Sequence, residues 1–350
     1  MQWSSLSGVN HDDVVATTSV RPGPDALTET LERFRAATAA APTRVTCAGP
    51  LLHTAGARCE VPVVSVAPDR GPVPDQAQVE IRGVSGASLL ATYPMAGAVL
   101  TRSRGAVRGL PTSLTADATP EPEVSGSTDD PEVFRRQVSR VFERFEEVLA
   151  ASGLCPRHIT RTWFFIARIH DRYPIFNEVR DAYFDAWDLR GFPASTGIGA
   201  ALQAGVGIVG ALDALDGAEV REVNTVHQPA PRSYGPRFVR ANTFDLDGLR
   251  VLNISGISSI DDQGRSLATG GDDELDHCLG SFVDLLSGAG MTPQDVRSLY
   301  LYASAPEVGR RLVTRARGLG LPEPTLVNYS DICRPDLRVE IEGRAVRPVL

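Results

Sequence analysis

Over residues 131–152, apolar residues return at intervals of three and four: Val138, Val141, Phe142, Phe145, Val148 and Leu149. That period predicts an amphipathic helix. Asp129 or Asp130, followed by Pro131, supplies its start, and Gly153 its stop. The unbroken apolar run at 162–167 then predicts a strand. A second helical face carries Phe176, Val179, Tyr183, Phe184 and Trp187, and Pro193 opens a Gly-rich strand over 196–212. A strand, helix, strand, helix order follows again. Residues 251–260 predict a strand. A helix over 272–287, with Leu275, Leu279, Phe282, Leu285 and Leu286 on one face, is ended by Gly290. A strand at 296–302 and a helix at 306–317 come next. Pro324 opens another strand, and 337–341 forms the last strand before a short tail.

The recurrence extends to single residues. Leu149-x-x-x-Gly153-x-x-Pro156-x-x-Ile159 is matched by Leu286-x-x-x-Gly290-x-x-Pro293-x-x-Val296, and Trp163 and Phe165 fall opposite Tyr300 and Tyr302. A repeat of about 130 residues is too long for a solenoid period. It predicts an α+β fold of two units, each a mainly antiparallel sheet with helices on one face. The first unit is expected over 76–225 and the second over 226–350. Residues 1–75, rich in Pro, Gly, Thr and Val, read as a separate region of short strands and loops with one helical patch near 25–40. Residues 105–130, with Pro111, Pro120, Pro122 and Gly126, read as a surface loop.

Composition narrows the chemistry. The 350 residues are 42% hydrophobic and carry a net charge of -8, so there is no global basic footprint for nucleic acid or an anionic membrane. All 35 basic residues are Arg. Without Lys, a Schiff base to a carbonyl substrate or to pyridoxal phosphate is excluded, as is a Walker-type phosphate loop. Cationic recognition falls to Arg, whose planar fork grips carboxylates with paired hydrogen bonds. The five cysteines, Cys47, Cys59, Cys155, Cys278 and Cys333, form no CxxC pair, so neither a disulfide framework nor a structural zinc site is expected. The six histidines form no HExxH. No basic stretch leading into an apolar core marks a secretory signal. The most apolar tract, 198–212, is interrupted by Gln203 and too short for a membrane span. A soluble cytoplasmic protein is the expectation.

The second unit carries Ile254-Ser255-Gly256-Ile257, the turn Gly270-Gly271-Asp272, the helix ending at Gly290, Arg334, and Val339-Glu340-Ile341-Glu342. Through these pieces it resembles the RidA/YjgF family over about 100 residues. The first unit and the link carry Arg161-Thr162-Trp163, Tyr173-x-x-Phe176-Asn177-x-x-Arg180, Pro193-Ala194-Ser195-Thr196-Gly197-Ile198 and Tyr234-Gly235-Pro236-x-Phe238-x-Arg240-Ala241. Through these motifs they resemble the chorismatases more specifically. Where chorismatases carry Ala or Gly this chain has Ser258, and a His expected before the Gly-Asp turn is replaced by Leu267-Ala268-Thr269. The resemblance implies removal of the enolpyruvyl group of chorismate, without metal or organic cofactor. The products would be pyruvate and either 3-hydroxybenzoate or a dihydroxycyclohexadiene carboxylate. It also makes a homotrimer or a monomer compatible with the chain.

Cleaving an enol ether requires a proton on its terminal carbon, and a carboxylic acid still protonated near neutral pH suits that task. Side chains alternate faces along a strand, so Glu340 and Glu342 share one face, opposite Val339 and Ile341. Periodicity alone is equally met by an exposed polar face paired with arginines. The resemblance makes Glu340 the general acid and gives Cys333, seven residues earlier, the role of steering the ring toward an aromatic product. A plain buried thiol is the competing reading of Cys333. A substrate with two carboxylates calls for two arginine sites: Arg240 first, Arg161 second, with Tyr234 as a hydrogen-bond donor. Arg334 is the cleft arginine if the site works as in simple RidA proteins. Gly256 and Ser258 complete the expected substrate-binding set. Two alternatives stay open: a RidA-type enamine or imine hydrolase, or another biosynthetic enzyme reusing the cleft for a different carboxylated substrate; and a non-catalytic binder of aromatic acids.

Overall fold

The computed structural model describes residues 2–7, 12–20, 26–38, 41–48, 63–66, 77–85, 88–95, 98–104, 112–118 and 130–349, apart from 190, 203–204, 247 and 268–270. Side chains are described for 29–37 and from 130 onward.

The second and third sheets hold the two expected α+β units. β6 (Ser88–Met95), β7 (Ala98–Arg104), β8 (Thr112–Ala118), α2 (Pro131–Ala151), β9 (Ile159–Ile166), α3 (Ile169–Ala186), β10 (Ala194–Gly199) and β11 (Ile208–Asp216) make the first of these. Its strand order is β10-β9-β11-β8-β7-β6. β12 (Arg221–Val223), β13 (Ala241–Leu246), β14 (Leu249–Ser258), α4 (Asp272–Gly288), β15 (Val296–Ala303), α5 (Pro306–Gly318), β16 (Leu326–Tyr329) and β17 (Val339–Pro348) make the other. Its order is β12-β13-β14-β17-β15-β16. The core β9-β11-β8 and β15-β17-β14 ladders are antiparallel. One edge of each of these two sheets is a parallel pair, β9 with β10 and β15 with β16.

The N-terminal region adds a sheet of its own. β1 (Gln2–Ser7), β2 (Asp12–Val20), β3 (Ala41–Ala48), β4 (Val63–Val66) and β5 (Ala77–Ser85), with α1 (Ala26–Thr38), order as β1-β2-β5-β3-β4. The same pattern reads β7-β8-β11-β9-β10 and β13-β14-β17-β15-β16 in the other two sheets. One topology therefore occurs three times. The expected boundary at 75 falls before β5, which pairs with both β2 and β3, so the first sheet runs on to Ser85.

The repeated sequence motif is a repeated structure. α2 starts at Asp130, whose side chain accepts the Glu132 amide at 2.9 Å, and its apolar stripe is fully buried. Gly153 (φ 71°) and Gly290 (φ 70°) turn the chain out of α2 and α4 in the left-handed region that glycine tolerates. Leu154 and Met291 then donate back to Leu149 and Leu286, each at 2.8 Å. Short turns at Pro156 and Pro293 lead into β9 and β15. They are capped by His158 accepting from the Cys155 amide and by Asp295 accepting from the Thr292 amide.

Three local expectations change. The proposed loop at 105–130 contains β8, which is paired on both sides; 105–111 and 119–129 lie outside the described residues. The single strand at 196–212 is two, β10 and β11, pairing on opposite edges of β9. The tail after 341 is strand: β17 continues to Pro348 against β14.

Alternation decides how the units meet. Phe164 and Ile166 face α2 and α3, while Leu299 and Leu301 face α4 and α5. Their neighbours Trp163, Phe165, Tyr300 and Tyr302 point the other way and share one cluster with Ile198, Ile260, Ile332 and Leu337. The helix-free faces of the two sheets are thus packed on each other. No described helix is long and apolar enough to cross a membrane.

Candidate active site

The face of β17 opposite the helices carries Glu340 and Glu342, as alternation requires, because Val339 and Ile341 fill the core beneath α4 and α5. Both carboxylates are buried, at 4% and 1% exposure. Their surroundings differ.

Glu342 lies between the sheets. It receives the Arg161 guanidinium and the Thr196 hydroxyl, the Trp163 indole N–H at 3.0 Å and the Tyr302 hydroxyl at 2.7 Å. Arg161 also donates to the Ile254 carbonyl and to Thr196. This ion pair ties β9 and β10 to β14, β15 and β17. Arg161 is therefore committed to Glu342 and does not border the cleft, which corrects its expected role at a substrate carboxylate.

Glu340 opens on a cleft between α3, β10, the 234–240 segment, β14 and the 333–337 segment. The cleft holds about 640 Å³ of empty space, its mouth included. The Ser258 hydroxyl donates to Oε2 at 3.0 Å, from a position directly opposite Glu340 in the β14–β17 ladder. Gly256, two residues earlier, makes room: a Cβ there would lie 2.7 Å from the Glu340 Cδ. Burial penalises the carboxylate form and pushes the Glu340 pKa up to about 8. Ser258 and the positive charges of Arg240 and Arg161 act against the rise, while the negative charge of Glu342 adds to it.

Three guanidiniums border the cleft: Arg180, Arg240 and Arg334. Arg240 is buried, donates to the Tyr234 hydroxyl at 2.8 Å and to the Pro229 carbonyl at 3.3 Å, and lies 5.7 Å from the Phe238 ring centre. Burial lowers its pKa, an effect opposed by Tyr234, Cys333 and Glu340. Burial raises the Tyr234 phenol, and Arg240 counters it. Arg334 is held by the Gly264 carbonyl at 2.7 Å and by Ser266. Cys333 is half-buried as a residue and also borders the cleft. Burial and the neighbouring Glu340 push its thiol pKa up to about 12, so it is a neutral thiol rather than a thiolate nucleophile.

The structure therefore gathers Glu340, Cys333, Arg240, Tyr234, Arg334, Ser258 and Gly256 into one cleft and sends Arg161 elsewhere. Two further groups join from α3. Arg180 pairs with Asp181 at 3.0 Å beneath the Phe176 ring. The Tyr173 phenol is raised well above its ordinary pKa, chiefly by burial. The signal for both was present: positions 173, 176, 177 and 180 share one helical face. Ser195 reaches the cleft as well, accepting from Thr162 at 2.9 Å. His170 bonds the Ile332 carbonyl at 3.0 Å and steadies the segment bearing Cys333. Ala268 and Thr269, which with Leu267 replace the expected His, lie outside the described residues, as does Gly270.

No protein-family model matches the sequence, and no curated protein matches it. Solved structures do. A chorismatase crystal structure at 1.08 Å superposes with a TM-score of 0.69 at 19% identity, covering 97% of this chain and 100% of its own. E. coli TdcF with bound serine overlaps 36% of this chain and 91% of its own, at 20% identity and a TM-score of 0.27. The E. coli YjgF gene product overlaps 36% and 86%, at 18% identity and 0.26. The end-to-end superposition, with the repeated strand order, gives this chain the fold of a chorismatase.

Proposed function

We propose that this chain cleaves the enolpyruvyl ether of chorismate, or of a close relative with two carboxylates, and releases pyruvate. One observation carries the reading. Glu340 is a buried carboxyl that keeps its proton to about pH 8, on the wall of a cleft bordered by three arginines. An acid of that pKa is matched to proton donation at neutral pH. The arginines suit an anionic substrate, each able to grip a carboxylate through paired N–H donors.

In the proposed reaction Glu340 hands its proton to the terminal methylene carbon of the vinyl ether. The double-bond electrons form the new C–H bond, and the ether oxygen shares the positive charge left on the adjacent carbon. Water adds there, loses a proton that restores Glu340, and the hemiketal breaks into pyruvate and the ring alcohol. That route gives the dihydroxycyclohexadiene carboxylate. The aromatic route releases the same pyruvate with no net water and gives 3-hydroxybenzoate. Cys333, a neutral thiol beside Glu340, is the proposed residue that steers the ring toward the aromatic product. Arg240 with Tyr234, and Arg334, are the proposed carboxylate sites; Arg180 adds positive charge on the α3 side. Elements of both C-terminal units line the cleft.

Incubating the purified chain with chorismate, measuring pyruvate and resolving the aromatic fraction by chromatography tests the reading. Pyruvate above the spontaneous rate is expected. Folded protein that yields none defeats the chorismate assignment.

A further inference from the structure

Glu340 has two carboxyl oxygens, and β14 treats them differently. Ser258, directly across the ladder, donates to Oε2 at 3.0 Å. Oε1 instead occupies the space above Gly256 that a side-chain carbon would fill, and both Gly256 and Ser258 border the cleft. A carboxylic acid carries its proton on one oxygen and leaves the other as acceptor. This inference rests on the reading of Glu340 as proton donor. We propose that Ser258 holds Oε2 as the acceptor, so that the acidic proton sits on Oε1, the oxygen seated over Gly256, and is delivered from there to the substrate.

Ser258 is then a positioning residue for the acid. Once the proton has left, its hydroxyl donates to the carboxylate, a charge-assisted bond stronger than the one it replaces. Gly256 has a matching task, because any side chain there would collide with the carboxyl and force Oε1 away. The backbone of Ser258 is itself held, its carbonyl accepting from Gln228 at 2.5 Å, so the hydroxyl starts from a fixed point. The other ionisable groups acting on Glu340 come from several elements. They are Glu342 on its own strand, Arg161 and Arg240, Cys333, Tyr173 on α3, Tyr302 on β15 and Cys278 on α4. A change confined to Ser258 leaves all of them in place.

The test uses the full chain with Ser258→Ala and Ser258→Thr. Titration of the Glu340 carboxyl is followed by difference infrared spectroscopy, with its band assigned by loss in Glu340→Gln, and chorismate turnover is followed against pH. Ser258→Ala is expected to move the titration to higher pH, because the charged form loses its donor, and to lower kcat roughly tenfold with KM changed less than about twofold. Ser258→Thr, which keeps the hydroxyl, is expected to stay with the parent in both. An unmoved titration in Ser258→Ala overturns the proposal, and so does a Ser258→Thr variant that behaves like Ser258→Ala. A titration that shifts as expected in a protein inert toward chorismate upholds the placement by Ser258 and removes the chorismate reading instead.

Discussion

Glu340 and Glu342 stand two residues apart on one face of β17, yet among the described residues one is saturated with donors and the other receives a single hydroxyl. Glu342 takes bonds from Arg161, Trp163, Thr196 and Tyr302, whereas Glu340 takes one from Ser258 and faces the cleft. The strand period places both on the interface between the units. The neighbouring strands then decide which carboxylate braces the units and which is left facing the cleft.

The first consequence is a pH dependence. A general acid works in its protonated form, and Glu340 holds its proton to about pH 8. Turnover should therefore be level below that pH and fall toward tenfold per unit above it. A profile of kcat/KM for pyruvate release, which reports the free protein's groups, checks this, and a limb near the ordinary carboxyl range would contradict it.

The same shift is a statement about stability. Glu340 titrates near 4.5 in an unfolded chain and near 8 in the folded one, so folding favours the protonated form. The stability this contributes is fully present below about pH 4.5 and is lost as pH rises to about 8. A neutral isostere feels none of that loss. Glu340→Gln should match the parent in thermal unfolding at pH 4 and exceed it by several degrees at pH 8.5, on the order of a few kcal/mol.

How much of this was legible beforehand depended on the range of the interaction. Helix faces and ends were local: the apolar stripe of α2, Gly153 and Gly290, and the shared face of Glu340 and Glu342 all follow from spacing within a few residues. The partner of Arg161 did not, because Glu342 is 181 residues away and an isolated Arg before an apolar run reads equally as a ligand clamp. β8 was hidden for a similar reason. Thr112–Ala118 is short and flanked by Pro111 and Pro120, and only pairing with β7 and β11 makes it a strand. The Gly-rich stretch after Pro193 looked continuous because both halves are apolar. The chain turns between Gly199 and Ile208 to place them on opposite edges of β9. Arg180 and Tyr173 were visible as a motif but not as part of the cleft, since nothing in helical spacing says what the face meets.

Breaking the inter-unit ion pair should be structural in its effect. Removing one partner leaves the other charge buried, which costs about 3–5 kcal/mol. Arg161→Ala should lower the unfolding midpoint by many degrees, while the KM of whatever protein remains folded stays near the parent value. A large KM effect at unchanged stability would return Arg161 to the substrate site.

Arg334 and Glu340 separate the competing chemistries. For enol ether cleavage, Glu340→Gln should abolish turnover, and Arg240→Ala or Arg334→Ala should raise KM by roughly ten- to a hundredfold. A RidA-type enamine or imine hydrolase predicts the reverse ranking, with Arg334→Ala inactive and Glu340→Gln still active. Steady-state kinetics on both substrate classes distinguishes them.

The most direct test of the account compares the parent and Glu340→Gln for pyruvate release from chorismate at pH 7, with folding of each verified by thermal unfolding. The account predicts clear release by the parent and a fall of at least about a hundredfold in the variant at equal or greater stability. Equal rates in two folded proteins would contradict it.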